Sequence, residues 1–235
     1  DRRGVAVTAS GYTCAGAISF FQARPDISAW ERTRRRGEAA RLDVSHLLAS
    51  AALPILFPAE RIGNEYFGDG GMRMVAPLSP AIHLGATRIL IIGTRDEKPD
   101  ASPTTPMSYP SAGEIGGYLM DTIFMDRLNA DLARMRRINN ILGLVPGERR
   151  SQTGLAGIES LVIRPSKDLR DVTRDHVSEI PRSVQVLLRT LGGWGRDWRM
   201  ASYLLFESAY CGELIDLGYA DGMNAEEEIR KFLEA

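Results

Sequence analysis

The chain has 235 residues, 44% of them hydrophobic, with 29 basic and 30 acidic side chains and a net charge of −1. That is enough apolar material for a sizeable core and too little positive charge for general attraction to nucleic acid. No apolar run approaches the roughly 18–20 residues of a membrane-spanning helix, and Asp1-Arg2-Arg3 does not open a signal peptide. The chain starts in mid-element without an initiator methionine and reads as a piece of something longer. Cys14 and Cys211 lie far apart and fit no metal spacing, which reads as two incidental reduced thiols.

In chain order, Val5–Ser10 is a β-branched run closed by Gly11, a buried strand and turn, with 17–21 as its hairpin partner. The arginine run at Arg32, Arg34, Arg35 and Arg36 reads as a solvated loop or helix face, with contact to anionic lipid headgroups as the sharper alternative. Asp43 caps a helix from Val44 to about Leu53, which stops before Pro54. Tyr66-Phe67-Gly68-Asp69-Gly70-Gly71 is a short aromatic strand that delivers a carboxylate into a glycine turn. Ser79-Pro80 then opens a helix that Gly85 ends, and 88–93 is the clearest buried strand. Strand, turn, helix and strand at this spacing are the grammar of an α/β layer structure.

Residues 95–113 hold Pro99, Pro103, Pro106 and Pro110 and form an ordinary connection, with a lid around Met107 and Tyr109 as the alternative. A long amphipathic helix is expected from about Ile115 to Leu142, its face of Phe124, Leu128, Leu132 and Met135 turned to the core, with an acyl-chain groove lined by Phe124, Leu128 and Leu132 as the alternative. A last strand falls near 161–165, followed by helices around 183–191, 202–217 and 225–233. Trp194 and Trp198 read equally as a buried aromatic pair or an interfacial anchor. The whole, 1–235, reads as a single domain: a core sheet segment over 1–95 and a mainly helical continuation over 114–235.

None of the histidines His46, His83 and His176 stands in a metal-ligand spacing, and nothing promotes one of them into a Ser-His-Asp triad. No cofactor is called for. The Gly-x-Ser-x-Gly elbow is missing; Ser10 sits in Ala-Ser-Gly-Tyr without the upstream glycine. Asp69, supported by Gly70 and Gly71, is therefore a candidate base without its nucleophile.

Asp-Gly-Gly alone marks most often a turn, but its surroundings are more specific. Ala49-Ser50-Ala51-Ala52-Leu53-Pro54, Phe57-Pro58, Tyr66-x-x-Asp69-Gly70-Gly71, Pro77-Leu78 and Ala81-Ile82-x-Leu84-Gly85-Ala86 together resemble the C-terminal part of the patatin-like phospholipase catalytic domain. The likeness extends more weakly to Val5–Ser10 and, through a bacterial patatin-like subgroup, to 114–233. The resemblance implies a partial three-layer α/β/α fold and a Ser-Asp dyad acting on a lipid ester or phospholipid. Asp69 would serve directly as base and no histidine would intervene. The serine and the oxyanion loop would come from a missing N-terminal segment. In many relatives an Asn-Pro follows the acidic motif, where this chain has Ala76-Pro77.

The expected function is thus the acid-bearing part of a patatin-like acyl hydrolase, inactive by itself, cytoplasmic or in peripheral membrane contact, and without a nucleic-acid partner. A non-catalytic patatin-like module binding lipid or a partner chain is the alternative, and an unrelated α/β domain with Asp69 in a plain turn is a third reading.

Overall fold

The computed structural model describes residues 4–54, 56–95, 109–124, 127–195 and 198–234. Among these the chain divides into two compact units, one built from Asp1–Ile89 and Asp126–Glu159, the other from Leu90–Met125 and Ser160–Ala235.

In the first unit, β1 (Val5–Gly11) and β2 (Ala17–Gln22) form the expected antiparallel hairpin, in register from Val5↔Gln22 to Ser10↔Ala17. Then come β3 (Trp30–Arg32), β4 (Arg35–Ala39), helix α1 (Val44–Ala51), β5 (Glu60–Ile62) and β6 (Glu65–Asp69). The sheet runs β3-β4-β2-β1-β6-β5, with β2 and β4 parallel and the other described pairs antiparallel.

Strand β2 lies mid-sheet and is buried on both faces, which is why its sequence reads as continuous apolar rather than alternating. Successive side chains still point to opposite faces. Phe20 meets His46 of α1 at 4.8 Å and Phe67 of β6 at 5.4 Å, both edge-on. Phe21 points the other way and stacks on Trp30 at 4.9 Å. Ala9, Ile18, Phe20, Ala49 and Phe67 form the core between sheet and α1. Each of the larger members contributes about 2 kcal/mol of burial.

The arginine run is exposed at Arg32 and Arg34, as a solvated segment should be, but it forms a hairpin rather than a loop or helix face. Arg32 ends β3, Arg35 and Arg36 begin β4, and Arg34 sits at the turn with φ 57°. Nothing in Arg-Arg-Gly-Glu-Ala favours a strand by itself. The β2 ladder on one side and Trp30 on the other impose it, the usual way in which context overrides β propensity.

Helix α1 begins as expected. Asp43 Oδ1 accepts the His46 N–H, and the His46 ring in turn accepts the Asp43 N–H, both at 3.3 Å. Helix α2 (Ser79–His83) follows the sheet and ends at Gly85, whose φ of 89° is left-handed. β7 (Arg88–Ile92) is half a buried strand only: Ile89 and Ile91 are covered, while Ile92 is 79% exposed. It forms a two-stranded sheet with β8 (Glu159–Ile163).

The single long helix expected over 115–142 is two described helices, α3 (Ala112–Phe124) and α4 (Arg127–Leu144), and they fall in different units. On α4, Leu132 and Met135 are buried, as the core reading required. The Phe124 side chain lies outside the description, as does Met107 of the 95–113 connection; Tyr109 is exposed. Short α5 (Gly147–Arg150) closes the chain's return.

The second unit is helical: α3, then α6 (Leu169–His176), α7 (Arg182–Leu191), α8 (Arg199–Ser202), α9 (Ser208–Asn224) and α10 (Glu226–Glu234). Val172, Ile180, Leu188, Ala201, Leu205 and Tyr210 are its core. The helix expected over 202–217 starts six residues later, because Leu205 packs into this core from an irregular segment. Helix α3 lies close to the chain after α7. A Cβ on Gly113 would come within 2.3 Å of the Gly193 nitrogen, so only glycine permits the approach. The mixed α/β class, a sheet carrying helices, is the one the sequence predicts.

Candidate active site

The site is built where β6 ends. Asp69 pairs with Ala9 of β1 in the last rung of the ladder, and its N–H donates to the Ala52 carbonyl at 2.9 Å, just past α1. The strand thus cannot slide, and the chain turns directly into a single 3-10 turn, Gly70–Met72. Asp69 caps that turn: Oδ1 accepts the Gly71 N–H at 2.7 Å.

Gly70 is the residue the geometry demands. A Cβ there would stand 2.1 Å from the Thr8 carbonyl oxygen of β1, which leaves no room for any side chain. The Ser10 hydroxyl donates to the Gly70 carbonyl at 3.3 Å, and Arg127 at the start of α4 donates to the Gly71 carbonyl at 3.2 Å. Asp131, one turn further on, accepts the Leu78 N–H at 3.1 Å and anchors the segment that leaves the turn.

Asp69 is half-buried, and burial pushes its carboxyl above the usual carboxylate range while the Gly71 N–H pulls the other way. Its second oxygen, Oδ2, has no hydrogen-bond partner among the described residues. A carboxylate with raised basicity, one oxygen pinned and the other open, is equipped to take a proton from a neighbouring hydroxyl.

Asp121 in the second unit is also half-buried and also pushed up by burial, yet it makes the contrast. Arg199 lies 2.8 Å from it, Arg95 3.4 Å, and the Tyr203 hydroxyl donates to it at 3.0 Å. Both its oxygens are engaged, which fits a structural ion-pair cluster.

All three histidines are occupied elsewhere. His46 is buried in the α1 cap and lies 2.7 Å from Asp43. His83 stacks on Trp30 at 4.6 Å. His176 holds Glu179 and Glu213 at 2.6 and 2.7 Å. Ser10 is 1% exposed and its hydroxyl is committed to Gly70. The structure therefore brings together Asp69, Gly70 and Gly71 as expected, and around them Thr8, Ser10, Ala52 and Arg127, which sequence reasoning missed. Thr8 and Ala52 act through main-chain carbonyls and Ser10 and Arg127 through side chains far off in sequence, so no local pattern announces them.

The segment that contains Asp69 is similar to the patatin-like phospholipase family, whose model matches residues 13–82. Patatin-like proteins are a lipid acyl hydrolase family, and the match covers less than a third of the 235 residues. The chain matches no curated protein and no solved structure. No described helix is long and apolar enough to cross a membrane.

Proposed function

We propose that this chain is the acid-bearing part of a serine acyl hydrolase that cleaves lipid esters, with Asp69 as general base in a Ser-Asp dyad. The serine comes from a segment outside this chain. Asp69 Oδ2 accepts the serine hydroxyl proton as Oγ attacks the ester carbonyl. The proton passes to the departing alcohol, leaving an acyl-enzyme. Asp69 then takes a proton from water as the water attacks the acyl carbon; the bond from that carbon to Oγ breaks, Asp69 returns the proton to Oγ, and the fatty acid leaves.

The observation that supports this reading best is the asymmetric binding of Asp69: Oδ1 is fixed by the Gly71 N–H, and Oδ2 is left for chemistry. Gly71 and Gly70 act as positioning residues, because they hold a short side chain in one place. The 235 residues by themselves carry no Gly-x-Ser-x-Gly elbow and are expected to hydrolyse nothing. In the longer protein, Asp69→Asn should lower hydrolysis of a nitrophenyl ester by about 10²–10⁴-fold with the fold retained. Undiminished turnover in that variant overturns the role of Asp69.

A further inference from the structure

The β3–β4 hairpin collects four arginines, of which Arg36 alone faces acidic partners, Glu38 beside it and Glu31 across the ladder. Arg32, Arg34, Arg35 and Arg36 line one cleft of about 230 Å³, together with Glu31 and the backbone around Cys14. Arg36 is paired with Glu38, and the Arg32 guanidinium donates to the Glu31 carbonyl at 2.9 Å. Arg34 and Arg35 have no ion-pair or hydrogen-bond partner for their guanidinium groups among the described residues.

Register makes this arrangement costly. Arg32 and Arg35 are directly opposite each other across the β3–β4 ladder, where like charges destabilise. Both also bear on His83, which burial and then these two arginines hold below the ordinary histidine value, since a protonated ring would add a further positive charge there.

The chain nevertheless fixes the turn that presents these groups. Arg34 is held at φ 57°, a conformation L side chains seldom adopt, while its carbonyl accepts the Ala17 N–H at 2.9 Å. A Cβ on Gly16 would come within 3.1 Å of that same carbonyl, so the two strand ends are packed tightly.

We propose that this cleft binds a phosphate-bearing anion, held between the cross-strand pair Arg32 and Arg35 with Arg34 at the turn beside them. A phosphate offers several acceptor oxygens to planar guanidinium donors and removes the cross-strand repulsion on arrival. The cleft has the size of a headgroup rather than of a polymer track. Trp30 of the same hairpin is stacked between Phe21 and His83 and is not free to receive a nucleobase. The same chemistry is presented by a free phosphate or phosphomonoester and by a phosphatidic acid headgroup in a membrane. This site is separate from Asp69, and its test uses no ester substrate, so it stands or falls independently of the hydrolase reading.

The test takes the 235-residue chain and its Arg35→Gln and Arg32→Gln variants. Thermal midpoints are measured with inorganic phosphate against chloride at equal ionic strength. Flotation is measured with phosphatidylcholine vesicles, with and without phosphatidic acid. In chloride, Arg35→Gln should be as stable as the wild type or more so, because a repulsion is gone. In phosphate the wild type should overtake it, and affinity for phosphate should be about tenfold weaker in the variant. A phosphate-specific shift without vesicle binding assigns a soluble ligand. Binding to phosphatidic acid vesicles that weakens in the variants assigns a lipid headgroup. Absence of both effects in the wild type, or effects that survive in both variants, overturns the proposal. Arg32→Gln serves the same comparison where Arg35→Gln disturbs folding.

Discussion

At neutral pH the Asp69 carboxylate carries its charge where burial disfavours it. Its folded-state pKa lies above the ordinary value of 3.8, so the native state holds the proton more tightly than the unfolded chain. Stability is then lost as pH rises from 3.8 through the folded value, and the cost remains above it. Asp69→Asn keeps an oxygen for the Gly71 N–H and removes the charge. The variant should equal or exceed the wild type in urea midpoint at neutral pH, with the gain fading below pH 3.8. A variant weaker than the wild type at neutral pH sinks this account. Gly70→Ala is the opposite case: its methyl group meets the Thr8 carbonyl at 2.1 Å and must shift backbone. A loss of about 1–3 kcal/mol in urea unfolding is expected, and a neutral result contradicts the packing described.

Among the elements, the β3–β4 hairpin shows where sequence reading stops. Strands β1 and β6 and helices α1 and α2 were legible, because β-branched runs, an Asp cap, Ser-Pro and glycine stops are local signals. Arg35–Ala39 carries no such signal and is a strand because β2 pairs with it in parallel. Gly37 is the hidden key: a Cβ there would sit 2.3 Å from the Trp30 ring, which lies flat across the glycine between Phe21 and His83. Gly37→Ala should lift Trp30 out of its stack, change the near-ultraviolet dichroism of the tryptophans and cost about 1–3 kcal/mol. Unchanged dichroism argues against the stack. The candidate site was legible to the same local depth. Asp69, Gly70 and Gly71 stand in one tripeptide, whereas Thr8, Ser10 and Arg127 reach it only through the fold.

For the molecule as a whole, the second unit carries a pH-dependent bridge. His176 at the end of α6 bridges Glu179 and Glu213 of α9, and both ring nitrogens can donate only when the ring is protonated. Glu179 first and Glu213 second hold its pKa above the ordinary 6.5. The stabilisation is therefore fully present below 6.5 and disappears as pH rises through the folded value. Denaturant midpoints should fall from about pH 6 to about pH 9, and His176→Gln should flatten that slope. An equal slope in the variant places the titration on another group. This bridge was illegible beforehand: 176 reads as part of a polar stretch, and its partner is 37 residues away.

The turn at Asp69 also bears on how such a chain drifts over generations. Its carboxylate is located by the Ala52 carbonyl, the Gly71 amide and the close passage of Gly70 over the Thr8 carbonyl, all of them main-chain atoms. Those atoms are supplied by nearly every residue type. The neighbouring side chains can therefore be exchanged to admit different ligands while the base stays in place, with Gly70 as the position that cannot follow. Variation should spread freely around the site and halt abruptly at that glycine.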